Sequence, residues 1–331
     1  MNILLTGGAG YIGSACLRRL LRHGHNPIAY DNLSEGNPGA VPDASNRLVV
    51  GELADLKRLT DVMRDRAIEA VMHFAALASV PDSISDPYSY YTVNVLGTKN
   101  VLDAMRAASV RRIVFSSTSA TYGFQSEMPL RETSPQLPET PYGTTKHAAE
   151  RMIKEYSHAY NFGYTLLRYF NASGADPDGQ FGEDHKKEGH LIPLILFTAL
   201  GRRDKVLLYG NDWPTPDGTC VRDYVHTEDL AQAHQLAIET LEPGMGRIYN
   251  LGSGTGSSLL EVLKACEQTV GAAIPHEIVG RRLGDPAILI ATPEKIMKEL
   301  GWEPRFPDIE SITATAWRWH SSHPKGYAAQ A

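Results

Sequence analysis

Through the first half of the chain, short runs that are apolar on both faces alternate with longer amphipathic stretches. Ile3-Leu4-Leu5, Ile28-Ala29-Tyr30, Leu48-Val49-Val50, Ala70-Val71-Met72-His73-Phe74 and Ile113-Val114-Phe115 read as strands. Between them, Ser14 to His23, Asp55 to Arg66 and Tyr91 to Ala107 carry helical periodicity. A strand without a polar face needs cover on both sides, so the pattern predicts a doubly wound α/β fold: a parallel sheet between two helical layers. A long helix from Tyr142 to about Tyr160 and a strand Thr165–Phe170 continue the rhythm.

After Asn171 the pattern changes. Residues 174–190 are rich in Gly, Asp, Lys and His, and Asp212-Trp213-Pro214-Thr215-Pro216-Asp217-Gly218 forms a second turn-rich segment. Long loops of this kind in compact proteins are commonly functional. A boundary is therefore set near 175, with a first domain over 1–175 and a smaller α/β domain over 176–331. The helix near 227–240 is expected to pack back on the first domain.

The length of 331 residues suits two packed domains. Lys+Arg 32 against Asp+Glu 38 gives a net charge of −6, which argues against nucleic acid or an anionic membrane as partner. Cys16, Cys220 and Cys266 are far apart, so neither a disulfide framework nor a metal site is expected, in keeping with a reducing cytoplasm. The longest apolar run, Leu191 to Leu200, is short and carries Pro193, whereas a bilayer span needs about 20 apolar residues. No basic segment precedes Met1-Asn2-Ile3-Leu4-Leu5 and glycines interrupt it from Gly7 on, so it reads as a folded strand rather than a signal peptide.

The first strand runs into Thr6-Gly7-Gly8-Ala9-Gly10-Tyr11-Ile12-Gly13 and then into a helix. Glycines permit a tight turn and close approach of backbone to a pyrophosphate, and the helix N-terminus offers free N–H groups to that anion. Asp31, 18 positions after Gly13 at the end of the next strand, is placed to accept hydrogen bonds from a ribose 2′-hydroxyl. An acid there repels a 2′-phosphate, which selects NAD over NADP. A second glycine cluster, Gly252-Ser253-Gly254-Thr255-Gly256, lacks the final spacing and reads as a turn with Ser257 or Ser258 capping the next helix.

Tyr142 and Lys146 stand at i and i+4 and share a helical face. An ammonium about 5 Å from a phenol contributes roughly 3 kcal/mol at an effective dielectric of 20, or about two pKa units. The pair is therefore read as an acid/base unit for an alcohol–ketone interconversion. Ser116-Ser117-Thr118 ends a strand of the same sheet, and ligands of such sheets bind beyond the carboxyl ends of strands, so Thr118 joins the pair.

Together with Leu167-Arg168-Tyr169-Phe170-Asn171, Asp217-Gly218-Thr219-Cys220-Val221-Arg222-Asp223-Tyr224, Ile248-Tyr249-Asn250-Leu251-Gly252 and His323-Pro324-Lys325-Gly326-Tyr327, these motifs make the chain resemble the extended short-chain dehydrogenase/reductase family. The closest likeness is to its UDP-sugar 4-epimerases. The resemblance implies a Rossmann-type sheet, a retained NAD, and interconversion of UDP-glucose and UDP-galactose through a 4-keto sugar. Tyr142 would take the 4-hydroxyl proton with help from Thr118, and Lys146 would hold the cofactor ribose and depress the Tyr142 pKa. The cofactor would touch Gly7, Gly10, Tyr11, Ile12, Gly13, Asp31, Asn32, Ser34, Glu52, Leu53, Phe74, Ala75, Ala76, Asn94, Ser116, Tyr142, Lys146, Tyr169 and Phe170. The UDP-sugar would meet Thr118, Asn171, His190, Leu191, Tyr209, Arg222, Arg282, Asp285 and Leu289, the two arginines clamping its diphosphate.

The chain departs from that family at Glu52, usually Asp; at Ala78, commonly Lys; at His190, often Asn; and at Leu289, where many galactose-restricted members carry Tyr. The smaller Leu289 implies some tolerance for N-acetylated or pentose sugars. Alternatives are an epimerase acting mainly on UDP-pentoses or UDP-N-acetylhexosamines, a nucleotide-sugar dehydratase or reductase of the same fold, and a non-catalytic nucleotide-sugar-binding regulator. A dehydratase usually has an acid right after the Thr118 position, where this chain has Ser119-Ala120. A homodimer through the helices after Tyr91 and Tyr142 is expected from the resemblance.

Overall fold

A computed structural model describes residues 1–282 and 285–327. Strands β1 (Asn2–Thr6), β2 (Asn26–Asp31), β3 (Leu48–Val50), β4 (Ala70–His73), β5 (Arg112–Thr118) and β6 (Gly163–Tyr169) join a seventh, Gly246–Leu251, in one sheet. The order is Gly246–Leu251, β6, β5, β4, β1, β2, β3, with every neighbouring pair parallel.

The two-faced apolar pattern of the strands explains the layers. Along the strands, Ile3, Leu5, Met72, Val114 and Leu167 enter one core, with Ala15, Leu17 and Leu20 of α1 (Tyr11–Arg22) and Leu230, Ala233 and Ile238 of the Thr227–Glu239 helix. Leu4, Val71, Ile113, Phe115 and Leu166 enter the opposite core, against Leu59 and Met63, Val101 and Met105, and Ala149 and Ile153 of three other helices. Those helices are Leu56–Asp65, Gly97–Ala107 and Pro141–Tyr160. The strand order reverses between β1 and β4, which opens a crevice at their carboxyl ends.

A third core holds the rest together: Ile192, Ile195 and Leu196 of the Leu191–Ala199 helix, Val262 and Cys266 of Leu259–Val270, and Ile312 and Ala316 of Ile309–Ser322. A single boundary near 175 does not divide the chain this way. The seventh sheet strand comes from residues 246–251, and the helix before it lies on the sheet's first layer, so the chain crosses between the two parts more than once. A strand's local pattern specifies that it is buried on both faces; it does not specify which sheet receives it.

The stretch read as one helix from Tyr91 begins with a wide π turn over Tyr91–Leu96 before the α-helix at Gly97. Gly252–Gly256 is a turn, and the Leu259–Val270 helix is capped by Ser258, whose hydroxyl and Glu261 form a reciprocal capping box.

Candidate active site

The glycine loop leaves β1 and enters α1 with no room for side chains. Gly7 has φ +71°, and a Cβ there would lie 2.6 Å from the Ala75 amide nitrogen. A Cβ on Gly13 would lie 2.2 Å from the Gly7 carbonyl oxygen. Gly10 precedes α1, and no side chain caps that helix, so its first N–H groups face outward as an anion site. Tyr11 and Ile12 open the helix, with the Tyr11 hydroxyl donating to the Gly174 carbonyl at 2.5 Å.

Asp31 is buried beside the loop and accepts from the amides of Ala9 (3.0 Å) and Leu33 (2.9 Å). Burial pushes its carboxyl up, and those two amides oppose the rise. Asn32 donates to Glu52 at 3.1 Å and accepts from Ser34, so these three polar groups gather at one end of the crevice. Leu53 packs over Gly97, while Phe74 and Ala75 both donate to the Thr6 carbonyl and lie against Gly7, with Ala76 following in the same loop. Asn94, in the π turn, clamps Leu77 through its amide and carbonyl and donates to Thr145 at 3.1 Å, fixing this loop to the helix that carries Tyr142. Ser116 is hydrogen-bonded to the Tyr169 hydroxyl, and Phe170 follows at the end of β6.

Thr118 ends β5, paired in register with Tyr169, and faces the Tyr142 phenol. Thr140 caps the Tyr142 helix by accepting from Gly143, and Pro141 suits its first turn. Lys146, one turn on, is only 3% exposed; its ammonium lies 4.3 Å over the Phe115 ring and makes no hydrogen bond among the described residues. Burial takes its pKa down to about 7, with Glu150 opposing. Burial takes Tyr142 up to about 12, the Thr118 hydroxyl working the other way. The expected two-unit fall at Tyr142 is thus overturned among the chain's own groups. Desolvation of the phenolate outweighs a lysine that is itself driven toward neutrality.

Glycines that a Cβ would block, a helix start uncapped by the described residues, a carboxylate at the end of β2 and a buried amine without a hydrogen bond among the described residues together fit a dinucleotide. In it Lys146 would meet the hydroxyl oxygens it otherwise lacks.

Beneath the Tyr142 helix, Arg168 of β6 forks onto Glu150, with Nε–Oε1 2.8 Å and Nη2–Oε2 2.6 Å, both side chains fully buried. Ser117 and Gln136 donate to the same carboxylate, and Arg168 also donates to the Tyr122 hydroxyl, which donates to Asn250 of the seventh strand. Neither Glu150 nor Arg168 stands out by spacing, and the network was not legible in advance.

The second group of residues assembles around Arg222. Leu289 lies opposite it in parallel register, and Asp285 approaches within 3.8 Å. Arg282 reaches Asp285 at 3.9 Å and stacks 4.3 Å over Tyr209. Arg222 Nη2 is buried without a hydrogen bond among the described residues, a donor available to an anion. Asn171 donates to the Asp223 carbonyl at 2.7 Å. The Asp223 carboxylate accepts from the amides of Ser253 and Ala291, tying the segment after Arg222 to both. Leu191 opens its helix and packs on the core that holds Tyr224. His190 turns instead toward Glu183 and Glu188, which with His185 form a polar cluster missed in the sequence although spaced as Glu-x-His-x-x-Glu-x-His.

A model of the NAD dependent epimerase/dehydratase family matches residues 3–252. The chain belongs to that family. Among members of this epimerase/dehydratase family, it is 47% identical over 331 residues to the UDP-glucose 4-epimerase of Halalkalibacterium halodurans, covering 100% of this chain and 98% of that one. The UDP-glucose 4-epimerase of Brucella ovis, solved in complex with NAD, superposes with a TM-score of 0.92 at 44% identity, covering 96% of this chain and 97% of that one. The Bifidobacterium longum enzyme, solved with NAD+ and UDP, gives a TM-score of 0.94 at 36% identity, covering 98% and 100%.

Proposed function

We propose that the chain interconverts UDP-glucose and UDP-galactose by inverting carbon 4 of the sugar with a retained NAD. The observation that carries this reading is the Thr118 hydroxyl facing Tyr142 at the carboxyl edge of the sheet, with buried Lys146 one turn further and the glycine cradle at the same edge. When bound, NAD supplies a reversible acceptor for the C4 hydride.

Tyr142 takes the 4-hydroxyl proton, and Thr118 orients that hydroxyl. After the 4-keto sugar has turned its other face, Tyr142 returns the proton to the same oxygen. A phenol at about 12 holds its proton too tightly for this at neutral pH. Lys146 corrects it: the ribose hydroxyls it holds stabilise its ammonium form, and the ammonium favours the phenolate. Gly7, Gly10, Gly13 and the α1 N-terminus hold the pyrophosphate, with Asp31 on a ribose and Asn32, Ser34, Glu52 and Leu53 toward the adenine. Arg222 and Arg282 clamp the UDP diphosphate, and Asn171, Leu191, Tyr209, Asp285 and Leu289 surround the rest. Residues 1–175 with 227–251 hold the cofactor, and the remainder holds the sugar nucleotide.

Ser119 and Ala120, in a tight turn after Thr118, carry no acid, which favours epimerisation over dehydration. Exposed Tyr91 and Leu96 ahead of the Gly97–Ala107 helix, and Tyr160 at the foot of the Tyr142 helix, support a homodimer through those helices. Three buried free cysteines support a cytoplasmic setting, and among the described residues no helix is long and apolar enough to cross a membrane. The test is to supply UDP-galactose to purified protein with no added NAD. UDP-glucose should form; no conversion by protein whose denatured extract contains NAD would overturn the reading.

A further inference from the structure

We infer that Glu183, His185, Glu188 and His190 bind one divalent transition-metal ion of the zinc type, in a site separate from the reacting groups. One ligand atom from each of the four lies within 4.8 Å of all the others. Both imidazoles present the same atom, Nδ1, to both carboxylates. His185 Nδ1 is 3.2 Å from Glu183 Oε1 and 3.3 Å from Glu188 Oε2; His190 Nδ1 is 2.8 Å from Glu183 Oε1 and 2.9 Å from the other Glu188 oxygen, Oε1. A tetrahedral shell with metal–ligand bonds of about 2.0–2.2 Å separates its ligand atoms by roughly 3.3–3.6 Å, so inward shifts of about 1 Å or less would complete one.

Proton counting favours an ion over hydrogen bonds. Each Nδ1 carries at most one proton, so at most two protons face four nitrogen–oxygen contacts. The contacts with hydrogen-bond direction both go to Glu188. Glu183 Oε1 is close to both rings but meets neither along a donor direction. It is left without a hydrogen bond among the described residues, on a side chain only 4% exposed. An unpartnered buried carboxylate oxygen is costly. A divalent cation between the four groups attracts it without requiring a donor direction.

Two imidazoles with two carboxylates suit zinc, whereas magnesium and calcium prefer all-oxygen shells. Four protein ligands leave no open position, so the ion is structural rather than catalytic. The outer contacts of such a site are present too: the amides of Gly189 and His190 donate to Glu188 Oε1 at 2.8 and 2.7 Å, holding that carboxylate in place. The half-exposed His190 provides the way in.

The site would staple the loop before the Leu191–Ala199 helix. His185 lies edge-on to Tyr11 at 6.1 Å, Lys186 donates to the Leu33 carbonyl, and His190 immediately precedes Leu191. One ion would therefore fix the position of the glycine-loop helix start relative to the first residue of the Leu191–Ala199 helix.

The test uses the full chain, purified without chelator and analysed for metal, then stripped and titrated with zinc chloride or cobalt(II) chloride. We expect about one equivalent of zinc per chain. Stripping should lower the Tm, and zinc should restore it where magnesium and calcium do not. Cobalt should give the visible absorption of a tetrahedral nitrogen–oxygen site without a thiolate band. His185→Ala should remove the tight equivalent. Folded protein that takes up no zinc would overturn the inference, as would undiminished uptake by His185→Ala. If that variant fails to fold, an octahedral or thiolate cobalt spectrum of the unaltered chain overturns it. Conversion of UDP-galactose by metal-free protein of unchanged Tm would sink this inference and leave the proposed activity standing.

Discussion

Replacing Arg168 by Met tests the buried network under the Tyr142 helix. The substitution keeps an unbranched apolar stem but strands Glu150, whose side chain is completely buried. Removing one partner of such a pair costs about 3–5 kcal/mol, because the remaining charge has no water to turn to. Unfolding entropy of about 2.1 cal/mol/K per residue gives roughly 0.7 kcal/mol/K for 331 residues, so a 4 kcal/mol loss lowers Tm by about 6 °C. Burial pushes Glu150 up, yet Arg168, Ser117 and Gln136 hold it below its ordinary value. A carboxyl held down stabilises the fold above its unfolded pKa and loses that contribution as pH falls. With Arg168 gone only the upward push of burial and two neutral donors remain, so the penalty should shrink toward pH 4–5, where Glu150 can take a proton. The assay is thermal unfolding of Arg168→Met, Glu150→Met and the double variant at pH 7.5 and 5. The double should recover most of the loss. Additivity of the two single losses within about 0.5 kcal/mol would refute the coupling.

Tyr142→Phe should reduce kcat by about 10²–10⁴ with little change in KM or Tm, measured by conversion of UDP-galactose. Gly13→Ala should yield folded protein that retains no nucleotide, read from the absorbance of denatured extracts, since its Cβ would fall 2.2 Å from the Gly7 carbonyl. Lys146, held at about 7 by burial against about 10.4 unfolded, binds its proton only in the unfolded chain between pH 7 and 10. Stability of nucleotide-stripped protein should therefore rise by about 1.4 kcal/mol per pH unit from 7.5 to 9.5, relative to Lys146→Met, in urea unfolding. Leu289→Ala should increase turnover of UDP-N-acetylglucosamine over the parent chain; equal exclusion by both would remove Leu289 as the gate.

The layers of the sheet were legible because β1, β4 and β5 are apolar on both faces, and that pattern has few other solutions. The glycine loop, Asp31, Thr118, Tyr142 and Lys146 were legible because spacing alone places them at strand ends and on one helix face. What escaped depends on burial and on contacts distant in sequence. Glu150 and Arg168, 18 positions apart, read as ordinary charges until the fold brings them together in a dry interior. The rise at Tyr142 has the same origin, since helical spacing fixes the nearness of Lys146 but not the water around either group. Glu183, His185, Glu188 and His190 were visible as letters, but a loop rich in polar residues gives no sign of which side chains turn inward.

The strand Gly246–Leu251 bears on how this enzyme could be recombined with others. It lies beside β6 in the sheet together with the helix that precedes it, while the chain before that helix and the chain after the strand build the other part. A crossover between 175 and 246 would pair one parent's β6 with the other parent's edge strand and split Arg168 and Tyr122 from Asn250. Chimeras meant to exchange sugar preference would instead carry 176–226 and 252–331 from one donor, leaving 1–175 and 227–251 with the other. On the proposed division, the heritable unit of specificity would be discontinuous, two inserts exchanged together.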